Sequence, residues 1–380
     1  MIRSERRGGE GMRLAVVGLG TMGLGIVQVF AGAGFEVLAS DADPLARASA
    51  TVRLGAAWGA RVAKGAMAAE ATAAALDRVA VVGSLADLAP ADLVIEAVAE
   101  RLEVKQALFT ALEAVVGRRA VLATNTSSLS VGLVASGLRE PGRVVGLHFF
   151  NPAPAMKLVE LVRHPACDAE ALAVARRVVE AAGKTVIACQ DRPGFVVNRC
   201  ARPYYGEAFA LLEEGREAGE IDAAMLAAGY RIGPLALIDL IGADVHLAAS
   251  EGVWRGMGMH PRYHVFAALR EQVAAGRLGR KSGAGFVVPG EPGPVPGDAA
   301  EIALRIEAVL VNEALFLLAE GGVAAEDIDL GLRLGLNFPR GPFEAMRRHG
   351  GRRIRLVLAG LEAAAPVHLK GRYAAAPGLV

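Results

Sequence analysis

His148 and Glu160 stand twelve positions apart and have the residue types needed to move a proton. An imidazole changes charge near neutral pH, and a carboxylate beside it fixes its tautomer and raises its basicity, as general-base chemistry requires. His148 lies in Gly146-Leu-His-Phe-Phe-Asn-Pro152, where aromatic neighbours exclude water and hold the ring. Glu160 lies in Lys157-Leu-Val-Glu-Leu-Val162, whose period-two alternation predicts a strand returning beside the first. A lone histidine of this kind reads as a satisfied core residue. With a candidate carboxylate nearby and a nucleotide motif upstream, it reads as a base.

That motif is Gly18-Leu19-Gly20-Thr21-Met22-Gly23, preceded by an apolar run at 14–17 and followed by an apolar helix pattern. Gly18 turns the chain, Gly20 lets backbone approach a pyrophosphate, and Gly23 permits close helix packing. The helix N-terminus then offers its free N–H groups to the phosphates. Asp41 closes the next strand, 18 residues after Gly23, where it would accept hydrogen bonds from the adenosine ribose. A carboxylate there repels a 2′-phosphate, and Ala42 and Asp43 bring no arginine to bind one. NAD is expected rather than NADP.

The elements that position these residues alternate. Apolar runs near 13–17, 36–40, 79–82, 93–96, 120–124 and 144–147 are separated by Ala-rich helical stretches. Such alternation predicts an α/β Rossmann-type domain with a doubly wound, mainly parallel sheet. Ligands then sit beyond the carboxyl ends of the strands. Asp41, Glu96, Glu100, Asn125-Thr-Ser-Ser128 and His148 all fall there. Beyond Gly194 helical periodicity dominates, which predicts an all-α C-terminal part.

That helical part repeats itself. Glu207-Ala-Phe-Ala-Leu-Leu-Glu-Glu-Gly215 resembles Glu313-Ala-Leu-Phe-Leu-Leu-Ala-Glu-Gly321. Each is followed by Ile-Asp (221–222; 328–329) and then Gly-Pro (233–234; 341–342). The expected organisation is a disordered extension over 1–11, with Met12 as working start, then an NAD-binding domain over 12–190. A helical domain over 191–288, a linker over 289–297 and a second, degenerate helical copy over 298–380 complete it.

Composition excludes several classes. Of 380 residues, 53% are hydrophobic and 21% charged, enough to fill a large core. Lys plus Arg (41) against Asp plus Glu (40) leaves no electrostatic footprint for nucleic acid. Cys167, Cys189 and Cys200 are too scattered for a disulfide framework or a zinc site, so no metal is expected and a reducing cytoplasm fits them. The uncharged run at 14–35 has glycines spaced as a nucleotide-binding turn, so no export signal or membrane span is expected. His246, His260, His264, His349 and His368 are expected on helix surfaces or loops.

These segments together resemble the L-3-hydroxyacyl-CoA dehydrogenases of fatty-acid and phenylacetate catabolism. The likeness rests on Gly18–Gly23, Ala97-Val-Ala-Glu-Arg-Leu-Glu-Val-Lys105, Asn125-Thr-Ser-Ser-Leu129 and His148-Phe-Phe-Asn-Pro152. It continues through Met156-Lys-Leu-Val-Glu160, Asp191-Arg-Pro-Gly-Phe-Val-Val-Asn-Arg199, Gly233-Pro-Leu235 and Leu278-Gly-Arg-Lys-Ser-Gly-Ala-Gly-Phe286. The remaining C-terminal residues look like the second module of double-tailed members. The resemblance implies NAD-dependent oxidation of a (3S)-3-hydroxyacyl-CoA, with His148 as base oriented by Glu160. It implies that Ser127 and Asn198 contact the reacting oxygen, that Glu100, Lys105, Ser127 and Asn151 contact NAD, and that Lys64 lies near the CoA phosphates. An acyl-CoA is then the partner, with no nucleic acid and no membrane. The chain is either a homodimer or a monomer in which the second copy replaces a partner domain. Hydratase activity is expected of another chain. Two alternatives stay open: an L-gulonate-type, lambda-crystallin-like dehydrogenase without CoA, and a non-catalytic NAD-binding structural protein. The run Arg199-Cys-Ala-Arg-Pro-Tyr-Tyr205 departs from the family's usual aliphatic stretch, which leaves chain-length preference open.

Overall fold

The computed structural model describes residues 11–65 and 68–380; the expected N-terminal extension, apart from Gly11, lies outside the described residues. The chain divides into two compact units, one ending at Arg192 and the other Pro193–Val380.

The first unit is built on eight strands: β1 (Arg13–Val17), β2 (Glu36–Ser40), β3 (Val79–Val82), β4 (Leu93–Glu96), β5 (Val121–Thr124), β6 (Val144–Phe149), β7 (Leu158–Arg163) and β8 (Thr185–Gln190). Their order across the sheet is β3-β2-β1-β4-β5-β6-β7-β8. β1, β4, β5 and β6 are almost wholly buried, as strands covered on both faces must be, and they are apolar apart from Arg13, Glu96, Thr124 and His148. The chain leaves β1 for β2 on one side and takes up β4 on the other, so the loops after β1 and β4 diverge and open a crevice. β7 reverses the common direction, pairing antiparallel with β6, and β8 runs in the same reversed sense. β8 then pairs parallel with β7 through the Ala169–Ala181 helix.

The second unit is helical, and its only extended pairing among the described residues is an isolated bridge between Gly279 and Ala284. Its two longest helices, Val197–Glu213 and Ala299–Ala319, are the two copies of one segment and pack on each other. Their ion pairs are reciprocal. Arg199 Nε donates to Glu313 (2.7 Å) and its two terminal nitrogens fork onto Glu320 (2.7 Å each). Arg305 Nε donates to Glu207 (2.7 Å) and forks onto Glu214 (2.6 and 2.7 Å). Arg262 and Tyr263 also reach Glu313, while Arg372 and Tyr373 reach Glu207. Residue i of one copy meets j of the other and j meets i, the pattern of a two-fold interface. The repeated Ile-Asp and Gly-Pro pairs have a matching job. Asp222 accepts from Leu235 N and Ala236 N, Asp329 from Phe343 N and Glu344 N, so each aspartate caps the helix that its Gly-Pro begins. His246, expected at a surface, is instead buried, its ring 4.3 Å from that of Tyr205. The helix Ala243–Gly256 turns that face inward.

Glu313→Ala leaves the fully buried Arg199 without one of its two carboxylates, an expected loss of about 3–5 kcal/mol in urea unfolding. Glu207→Ala, its mirror image, is expected to cost the same amount. Losses differing several-fold would refute the equivalence.

Candidate active site

The first link is backbone register. In the β6–β7 pair His148 lies directly opposite Glu160, flanked by Leu147 against Leu161 and Phe149 against Val159. Residues directly opposite in an antiparallel pair project from the same face, roughly 5 Å apart at Cβ. His148 Nδ1 and Glu160 Oε2 accordingly meet at 2.6 Å. Glu160 has no exposed surface and His148 is 6% exposed. The loop joining the two strands, which holds Asn151 and a cis Asn151–Pro152 bond, is tied down by Lys184. Its ammonium donates to the carbonyls of Ala153 (2.6 Å) and Met156 (2.7 Å). Burial, aided by the charge of Arg61, pushes the Lys184 pKa down to about 8.

The second link is the loop after β5. Asn125 Oδ1 accepts from Phe149 N (2.8 Å), fastening this loop to the residue after His148. Glu100, on the loop after β4, gathers the rest. One oxygen accepts from Thr126 Oγ1 (2.6 Å), Ser127 N (3.0 Å), Ser128 N (3.2 Å) and Ser128 Oγ (3.0 Å). Lys105 lies 3.2 Å from the other. Lys105 is itself buried, with its ammonium 2.6 Å from Glu96, which also accepts from Thr124 Oγ1 (2.7 Å) and Val98 N (2.7 Å). Burial raises the Glu100 carboxyl, but the Lys105 charge and the bonds from Thr126 and Ser127 outweigh it and hold its pKa below the usual value. Lys105 and Glu100 thus fix the loop that presents Ser127.

The third link is the crevice, a cavity of about 650 Å³ lined by Gly18, Gly20, Asp41, Arg47, Ala97 and Leu108 among others. Gly18 takes a φ of +98° and presses so close to Ala97 that a Cβ would sit 2.5 Å from the Ala97 carbonyl oxygen. A Cβ on Gly23 would fall 1.7 Å from the Gly18 carbonyl oxygen, so the turn and the helix close only on glycine. A Cβ on Gly20 would point into open space, the side from which a pyrophosphate arrives. No side chain caps the Thr21–Gly32 helix there, so its first N–H groups face an incoming anion, with Thr21 exposed and Met22 half-buried. Asp41 accepts from Leu19 N (2.6 Å) and Asp43 N (2.9 Å), joining the glycine loop to the end of β2. These residues fit a dinucleotide.

Two groups stand apart. Lys64 is exposed and ends the Pro44–Ala63 helix, while the neighbouring residues 66–67 lie outside the described residues. Asn198 belongs to the second unit, in the first turn of the Val197–Glu213 helix. Sequence reasoning set Glu96 and Asn125 at the ligand end of the sheet without giving either a role, and passed over Thr124, Lys184 and Arg47, which donates to the Asp41 carbonyl from a helix beyond the β2 loop. Among the described residues no group of His, Cys, Asp and Glu could hold a metal ion, and no helix is long and apolar enough to cross a membrane.

Residues 13–192 match the sequence model of the 3-hydroxyacyl-CoA dehydrogenase NAD-binding domain. The C-terminal domain of that family matches at 194–288 and again at 302–377. The chain is 46% identical over 274 residues to the 3-hydroxyadipyl-CoA dehydrogenase of Escherichia coli K12, covering 72% of this chain but 58% of that relative. It is 38% identical over 276 residues to a probable 3-hydroxybutyryl-CoA dehydrogenase of Bacillus subtilis, 72% of this chain and 96% of that one. The crystal structure of 3-hydroxybutyryl-CoA dehydrogenase from Escherichia coli K12 superposes with a TM-score of 0.89 at 33% identity, covering 97% of both chains.

Glu100→Gln turns one acceptor oxygen into a donor against the Ser127 loop and is expected to weaken NADH binding about 10-fold by fluorescence titration. Because the folded pKa of Glu100 is depressed, its stabilising contribution is complete above the ordinary carboxyl value and fades as pH falls through the folded one. The stability gap between wild type and Glu100→Gln should therefore be level from pH 8 to 5 and shrink below about pH 4.5. A gap that widens on acidification would contradict the clamp.

Proposed function

The chain belongs to the NAD-dependent 3-hydroxyacyl-CoA dehydrogenase family, and from that membership we propose that it reversibly oxidises (3S)-3-hydroxyacyl-CoA to 3-oxoacyl-CoA in fatty-acid or phenylacetate catabolism. The observation that carries this reading is the buried 2.6 Å contact of His148 Nδ1 with Glu160 Oε2 at the carboxyl edge of the sheet that forms the dinucleotide crevice.

An ionised carboxylate only accepts hydrogen bonds, so Nδ1 carries the ring proton and Nε2 holds the lone pair. Nε2 takes the proton of the substrate 3-hydroxyl, and Glu160 stabilises the imidazolium that results. When bound, NAD supplies the acceptor for the hydride that leaves C3. Ser127 and Asn198 hydrogen-bond the oxygen that becomes the ketone. Glu100 and Lys105 act as positioning residues for the Ser127 loop, while Asn151 contacts the cofactor and Lys64 the CoA phosphates. The reciprocal ion pairs of the helical unit support a second copy that stands in for a partner domain, giving a monomer. Three cysteines that form no disulfide among the described residues, two of them buried, fit a cytoplasmic setting.

NADH oxidation with acetoacetyl-CoA, run beside NADPH and beside free acetoacetate, tests the reaction. Turnover requiring both NADH and the thioester is expected; silence with every thioester alongside intact NADH binding would favour a gulonate-type or structural protein. His148→Gln should retain NADH affinity and lower turnover by about 10²–10⁴. Unchanged turnover would remove His148 from the chemistry. Solution mass should be that of one chain, and a dilution-resistant dimer would contradict the partner-domain reading.

A further inference from the structure

Lys184 stands in the turn between the Ala169–Ala181 helix and β8, outside the residues that line the crevice. Its ammonium is met by the carbonyls of Ala153 (2.6 Å) and Met156 (2.7 Å). Among the described residues no carboxylate pairs with it. The charge that acts on it is that of Arg61, on the Pro44–Ala63 helix, and it is of like sign. Burial and that neighbour favour the neutral amine, which brings its pKa down to about 8. A charged donor holds a carbonyl roughly twice as strongly as a neutral one, so losing the proton weakens both ties at once.

The loop that the ammonium holds reaches three parts of the site. It leaves β6 just after His148 and joins β7 just before Glu160. It carries Asn151 near its start. It also packs on the Thr21–Gly32 helix, because a Cβ on Gly25 would lie 3.2 Å from the Ala153 Cβ and 3.3 Å from the Pro154 Cδ. Gly25 is one helical turn from Thr21, so this contact sits beside the uncapped N–H groups that face the crevice. The carbonyl that Lys184 grips at Ala153 belongs to a residue in that contact.

We propose that Lys184 is a positioning residue for cofactor binding: through this loop its ammonium holds Asn151 and the Thr21–Gly32 helix in place, so NADH binds tightest when Lys184 is protonated. This rests on the function proposed above, in which Asn151 contacts the cofactor. Coupling between two binding events is reciprocal. If the proton on Lys184 favours NADH, then NADH favours the proton, and binding near the pKa takes protons up from solution.

The test is NADH affinity of the full chain, titrated by fluorescence from about pH 7 to about pH 9.5, a window that brackets the Lys184 pKa of about 8. The wild-type Kd is expected to rise about 3- to 10-fold across it, the difference between charged and neutral donors at two carbonyls. Lys184→Arg, whose guanidinium stays charged, should keep the tight binding and level the profile. Lys184→Met, which has no donor, should bind weakly and evenly at every pH. Its KM for NADH should rise while kcat at saturating NADH stays within about two-fold. Calorimetry of NADH binding at about pH 8, in buffers of different ionisation enthalpy, should show proton uptake by wild type and none by Lys184→Arg. Thermal melting establishes that the variants are folded; if they are not, the wild-type profile and proton uptake decide. A level wild-type profile without proton uptake, or an unchanged profile in folded Lys184→Arg, overturns the role of Lys184. Wild type that binds no NADH at any pH overturns the dehydrogenase reading itself, a distinct failure.

Discussion

The reversal of β7 against β6 is the constraint on which the site depends. Every other neighbouring pair in the sheet runs parallel, and a parallel pair would bring different residues together along its length. The antiparallel turn sets His148 opposite Glu160, and a slip of one residue would send Glu160 to the opposite face. Packing resists that slip. Gly146 opposes Val162 so closely that a Cβ would lie 2.7 Å from the Val162 Cβ, and Lys184 holds two carbonyls of the connecting loop. A carboxylate with no exposed surface is tolerable only with a hydrogen-bond donor in place, so the strand pairing and the His148–Glu160 contact specify each other.

In the helical unit, buried charge serves a different end. Replacing a buried ion pair with apolar residues is often neutral for stability, so such pairs matter chiefly for which surfaces can meet. Here two arginine forks and two shared glutamates allow one alignment of the copies, because each fork is satisfied only by the glutamates of the other helix. The second copy keeps these interface residues and the aspartate caps, yet has Leu304 where the first has Asn198. Identity between the copies thus lies at the ion pairs and the aspartate caps, while Asn198 of the first copy has no counterpart in the second.

The legible parts of the sequence were those set by local backbone chemistry. The glycine loop could be read because each glycine answers a steric demand of the turn, and Glu160 because strand alternation has a period of two. The repeat was legible through Glu207–Gly215 and its copy, and Asp222 and Asp329 explain why the Ile-Asp and Gly-Pro pairs recur at matching distance. The reciprocal ion pairs were not, since Arg262-Tyr263 and Arg372-Tyr373 are two-residue matches at a shifted offset of 110. Lys105 entered only through family resemblance. Its pairing with Glu96 and Thr124 depends on which strand lies beside β4, and a sequence pattern does not state that. The buried position of His246 was missed for the same reason: its helix neighbours are polar and apolar in turn, and only packing decides the inward face.

The carboxyl edge of the sheet is shaped by anions that bind backbone. Asp41 takes N–H groups from the glycine loop and the start of the next helix, Glu96 from Val98, and Glu100 from Ser127 and Ser128. Each joins a loop to its own or a neighbouring strand end, so the loops that must surround a cofactor are fastened without it. Preorganisation of this kind lowers the ordering that binding would otherwise require. It also divides the labour of charge at the crevice. Carboxylates whose oxygens already hold backbone donors shape the loops, and the uncapped N–H groups of the Thr21–Gly32 helix are left to meet the phosphates. The fold thereby keeps an acidic rim compatible with an anionic ligand, because much of its negative charge is spent on the chain itself.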